Sequence, residues 1–143
     1  MKRIFLFLCC AAALSWSGCT KDNDDNTVDL TQLVGTWEIT KMYIGEYGEW
    51  DEEYGSEFNF VSTKEFHADG TVTFAETQSG YTRSWNLIYT IDSNILTISE
   101  TDTDHAISVR IEKLTASEFI TSYEYKGENG KTYVDKVYHK RID

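Results

Sequence analysis

From Leu33 to the C-terminus, apolar residues recur at a period near two, and the alternation breaks about every 8 to 12 residues at Gly, Asn or Asp. That rhythm predicts an antiparallel β-meander, because side chains on a strand point alternately to its two faces. The first strand covers Gly35 to Ile44, with Trp37 and Ile39 on one face and Glu38 and Thr40 on the other. Thr63 to His67 and Thr71 to Glu76 flank Ala68-Asp69-Gly70, a tight hairpin in which Gly70 can take positive φ. Tyr81 to Ile91, Ile95 to Ser99, His105 to Leu114, Glu118 to Tyr125 and Thr132 to Ile142 complete eight strands. Before them, Asp29-Leu30-Thr31-Gln32 reads as a helical turn with an Asp cap and a Gln three positions on, and Leu30, Leu33 and Val34 are placed to plug the base.

Eight strands in one antiparallel sheet leave two open edges unless the first pairs with the last, and an even count permits that closure. Closure sets the start of strand one against the end of strand eight. It brings Gly35 and Trp37 near Arg141, with the guanidinium over the indole, a contact worth about 0.5 to 2 kcal/mol. The pattern also allows a solvent-facing Arg141, and a sandwich of two sheets with unpaired edges.

These residues, in this order, resemble the lipocalin-like domains of bacterial lipoproteins over about residues 30 to 143. Leu33-Val34-Gly35-Thr36-Trp37 is similar to the Gly-x-Trp signature, and Thr121-Ser122-Tyr123 echoes the second signature. Phe66-His67-Ala68-Asp69-Gly70-Thr71, the Trp85 to Ile91 strand, Asn94 with Leu96-Thr97-Ile98, and Tyr138-His139-Lys140-Arg141-Ile142 support it. The resemblance implies an all-β, eight-stranded up-and-down barrel that binds a small apolar or amphipathic molecule.

The N-terminus has a different composition. Lys2 and Arg3 precede an apolar run from Ile4 to Leu14, which is too short to cross a hydrocarbon core as a helix, for which about 20 residues are needed. Ser17-Gly18-Cys19 resembles the lipobox of lipoprotein signal peptidase, so residues 1–18 are expected to leave as a signal peptide and Cys19 to be acylated; plain secretion with a free Cys19 thiol is the alternative. Residues 19–28 form a solvated acidic tether, and 29–143 the barrel domain. Lys21-Asp22-Asn23-Asp24-Asp25 resembles an acidic export signal of Gram-negative surface lipoproteins, which points to the outer membrane, facing either the cell surface or the periplasm. Asp22, Asp24 and Asn26 have EF-hand spacing, but Thr27 stands where the turn needs Gly and Leu33 where a bidentate Glu should close the site.

The net charge of −11 falls to −13 once Lys2 and Arg3 are removed, which argues against nucleic acid and leaves membrane attachment to the acyl chains. Phe66, Phe74, Trp85, Tyr89, Phe119 and Tyr123 are expected to face the interior, where they would either line a ligand pocket or fill it. The loop from Gly45 to Glu57 interleaves Tyr47, Trp50 and Tyr54 with Glu46, Glu49, Asp51, Glu52 and Glu53. Trp50 and Tyr54 there suit a glycan or an envelope protein, or they fold back as a lid. Catalysis finds no support: His67, His105 and His139 lack ligand-type spacing, no Gly-x-Ser-x-Gly elbow occurs, and Cys19 is expected to be acylated. The chain is read as a non-enzymatic binder without metal or cofactor.

Overall fold

Asp29, the first described residue, binds its own successors. Its carboxylate accepts hydrogen bonds from the Thr31 backbone N–H at 3.0 Å and the Thr31 hydroxyl at 2.7 Å, with the Gln32 amide at 3.4 Å. These contacts cap a single helical turn, α1, Leu30–Leu33. The computed structural model describes residues 29–52, 54–55 and 59–143. The leader, Cys19 and the acidic tether lie outside the described residues, as do the Leu30 side chain and Glu53.

Nine strands follow: β1 Gly35–Ile44, β2 Glu49–Asp51, β3 Phe60–Phe66, β4 Thr71–Gln78, β5 Tyr81–Asp92, β6 Ile95–Ser99, β7 Ala106–Leu114, β8 Glu118–Lys126 and β9 Thr132–Arg141. From β3 to β9 each strand pairs antiparallel with the next, and β1 pairs with both β3 and β9. Eight strands therefore close a ring, with Trp37 opposite Arg141, and the sandwich alternative falls. The short β2 is an addition to the sequence reading. It forms inside the acidic aromatic loop and pairs with the end of β1, Met42 to Ile44.

The predicted hairpin between β3 and β4 forms with Gly70 at φ +86° and the Asp69 carboxylate receiving the Thr71 N–H at 2.9 Å. Two strands are longer-pitched than simple alternation allows. In β1 the register with β9 slips between Ile39 and Lys41, a bulge that leaves Thr40 unpaired. Trp37 and Ile39 face inward before it; after it the inward residue is Met42, while Lys41 and Tyr43 turn outward. A like bulge at Glu112 keeps Ile111 and Leu114 on the inner face of β7.

At the base of the ring, Leu33, Trp37, Phe66, Val72, Leu96 and Phe119 are all but fully buried. Phe119 meets Trp37 at 5.5 Å and Phe66 at 6.1 Å between ring centroids, and the Trp37 indole N–H donates to the Leu33 carbonyl at 2.8 Å. Arg141 closes this end from below. Its guanidinium carbon lies 4.4 Å from the centre of the Trp37 ring, and its N–H groups reach the carbonyls of Val34 at 2.8 Å, Ala116 at 2.7 Å and Gln32. Gly35 sits at φ +133°, and a Cβ there would fall 2.0 Å from an Arg141 nitrogen, so only glycine leaves room for the clamp.

Replacing Arg141 with Met should keep the ring-covering bulk but strand those carbonyls, costing about 2 to 3 kcal/mol. Urea unfolding would show it as a lowered midpoint at unchanged slope; an unchanged midpoint would refute the clamp.

Candidate functional site

The barrel interior divides in two along its axis. Below, the aromatic base is solid. Above it, the inner faces of β1 and β3–β9 enclose a cavity of about 320 Å³, at the small end of the range of ligand pockets. The wall is mostly apolar, with Ile39 and Met42 from β1, Phe74 from β4, Leu96 and Ile98 from β6, and Val137 from β9 among its residues. Both readings of the interior aromatics thus hold in part, because the large rings concentrate at one end and the aliphatic chains at the other.

One side of the wall parts toward the mouth. Pairing between β7 and β8 ends at Arg110 and Ser122, so Ala106 to Val109 pair only with β6, and Glu124 to Lys126 only with β9. Ile107 lines the cavity there and is 66% exposed, so the interior meets solvent at this gap.

Among the residues expected to contact a ligand, Phe74, Phe119 and Tyr54 come together on the cavity. Tyr54 enters from the loop, held by its N–H on the Thr40 carbonyl at 3.2 Å and by its ring edge-on to Phe60. Burial, with the charges of Glu76 and Asp51 nearby, raises the pKa of its phenol. The other four stand elsewhere. Tyr89 packs edge-on against Phe66 in the base and donates to the His67 carbonyl at 2.8 Å. Trp85 lies half-exposed against Phe74 beyond the end of the β5–β6 pairing, and Tyr123 is half-exposed and stacked on Tyr125. Trp50 lies on the outer wall, 4.9 Å from the Tyr43 ring and 5.3 Å from Tyr138, with the Lys41 ammonium 4.7 Å from both Trp50 and Tyr138. The bulge at Thr40 explains that placement, since it turns Lys41 and Tyr43 outward to form the seat.

Two polar residues that the sequence reading did not single out as ligand contacts meet on the cavity wall, from the two strands that flank β1. His139 is buried, its ring stacked on Phe119 at 4.7 Å, and its Nδ1 lies 3.1 Å from the Phe119 carbonyl. A carbonyl only accepts, so Nδ1 carries the proton and Nε2 is left as an acceptor. The Lys64 ammonium donates to that Nε2 at 3.1 Å. Burial and the Lys64 charge hold the His139 pKa well below its ordinary value, and burial lowers that of Lys64 to about 8. Beside Lys64 on β3, the buried Ser62 hydroxyl has no hydrogen-bond partner among the described residues. The signal in the sequence was a lysine at an inward position between Ser62 and Phe66, but alternation alone also admits an outward register for β3.

The sequence matches the profile of the lipocalin-like domain over residues 33–121. No curated protein sequence matches the chain. Among solved structures, insecticyanin from the tobacco hornworm Manduca sexta aligns with a TM-score of 0.58 at 8% identity. That alignment covers 80% of this chain and 64% of insecticyanin, so the chain spans less than two thirds of that protein's length, and the likeness shows the fold alone. Bovine odorant binding protein, solved with its natural ligand, aligns at a TM-score of 0.45 and 14% identity over 81% of this chain and 75% of its own. The siderocalin Ex-FABP aligns at 0.44 and 11% over 78% and 71%.

The buried lysine sets a pH dependence. Its folded pKa, about 8, lies below the ordinary 10.5, so between those values the unfolded chain binds more protons and stability rises with pH. Measured against a Lys64→Met variant, which cancels the tyrosines common to both, the native protein should gain in urea midpoint from pH 8 toward pH 10. A flat difference would place the ammonium in water.

Proposed function

The chain belongs to the family of lipocalin-like domains, and we propose that it is a non-enzymatic envelope lipoprotein that holds one small apolar or amphipathic molecule in the upper half of its barrel. Domains of this family typically bind small hydrophobic ligands. The observation that carries the reading here is the cavity of about 320 Å³ above a packed base, walled by aliphatic side chains and reached through the gap between β7 and β8. Apolar surface of that kind gains by leaving water, which favours an apolar occupant. His139 has both ring nitrogens engaged and its pKa is depressed, so it is poorly suited to act as a general base at pH 7. Trp50 is spent on the barrel's own outer wall, which favours the cavity over the loop as the binding site.

The envelope location rests on the Ser17-Gly18-Cys19 signal and on the acidic tether that joins Cys19 to the cap at Asp29. A single acyl chain gives only marginal membrane binding, and multiple acylation at Cys19 would anchor the barrel without any basic surface. The acidic run Lys21 to Asp25 in the tether supports an outer-membrane location, facing either the cell surface or the periplasm.

An environment-sensitive naphthylamine probe should brighten on binding the purified protein, and Val109→Trp, which fills the cavity from β7, should weaken it at least tenfold while the far-ultraviolet spectrum stays that of the native barrel. Undiminished binding in that variant would move the site out of the barrel. In cells, Cys19→Ala should release the protein from the membrane fraction; retention there would overturn the anchor.

A further inference from the structure

We infer that the cavity selects ligands with an anionic head, a carboxylate seated on Lys64 and Ser62 with its apolar tail directed toward the gap between β7 and β8. This rests on the carrier reading and specifies the class of ligand. Lys64 has three N–H donors, of which His139 Nε2 takes one, while the Phe74 ring, 5.6 Å away, offers only its π face. Among the described residues no carboxylate lies within ion-pair distance of it. Ser62, two residues earlier on the same face of β3 and 1% exposed, adds a hydroxyl with no partner among the described residues. An ammonium and a hydroxyl left unsatisfied in an apolar enclosure are each costly, and one carboxylate satisfies both.

The surrounding charges favour a monoanion. His139 faces Lys64 from β9 as a neutral acceptor, and Glu76 on β4 and Tyr54 in the loop line the same cavity. Glu76 pairs in register with Ser62, one step nearer the mouth than Lys64 and Phe74, and its charge bears on the Tyr54 phenol. A larger or doubly charged head would lie against Glu76, which stands level with Ser62. A single carboxylate is drawn one step deeper, to the Lys64 ammonium, and leaves the tail against Leu96, Ile98 and Val109.

Decanoate and 1-decanol share a tail and differ in the head, so displacement of the naphthylamine probe by each separates the two layers of the argument. At pH 7 decanoate should bind at least tenfold more tightly than decanol. Lys64→Met should abolish that preference, read as the ratio of the two affinities in the same variant, and Lys64→Arg should retain part of it. In the native protein, decanoate affinity should fall as pH rises past the Lys64 value of about 8, since a neutral amine no longer offers the charge, and decanol affinity should stay level. Equal binding of the two at pH 7, or a preference that survives both Lys64→Met and high pH, would overturn the carboxylate site and leave the carrier reading standing. Binding of neither ligand nor probe would overturn both.

Discussion

The structure depends on the contact between Trp37 and Arg141. An antiparallel sheet has two edges, and here the first and last strands remove them by pairing with each other. The guanidinium lies on the indole, and its N–H fork reaches carbonyls from three separate places: the helical turn, the residue before β1 and the turn before β8. Those carbonyls belong to chain ends and turns that a barrel's strand ladder cannot satisfy. Arginine suits the task because its planar fork has donors in several directions and a flat face for stacking. Gly35 completes the arrangement by having no side chain where the guanidinium passes.

With one end sealed, the interior could be filled or partly open, and residue size decides between them level by level. Trp37, Phe66 and Phe119 meet at the base with edge and tilted contacts and leave no room. One level up, Phe74 and Val137 share the space with Lys64 and His139, and the volume remains open. The polar pair there is held by a chain of hydrogen bonds from the Phe119 carbonyl through the imidazole to the ammonium. Such an arrangement lowers stability relative to an apolar pair of similar size, and is the kind of local conflict that marks a working site.

Strand boundaries, the cap at Asp29, the hairpin at Gly70 and even the register of Trp37 against Arg141 were legible because each rests on local chemistry or on the arithmetic of an even strand count. The lining of the cavity was less so. Phe74 and Phe119 were found by alternation, but Tyr89, Trp85 and Tyr123 were drawn in by the same rule and lie in the base or at the rim, while Trp50, chosen for its acidic loop, lies on the outer wall. A rhythm of two gives the face a residue occupies, and says nothing of its height along the barrel axis.

The order of polar and apolar residues by itself determined an antiparallel meander of eight strands able to close, with a leader and an acidic tether expected ahead of it, because periodicity, turn residues and a lipobox-like cysteine are properties of neighbours along the chain. That the ring closes was settled by the β1–β9 pairing. Only the tertiary structure decided where the bulges at Thr40 and Glu112 shift the inward set, that β2 forms in the loop, and that Lys64 meets His139 from the far side of the sequence. Those are contacts between strands distant in sequence, and their geometry exists only once the ring has closed.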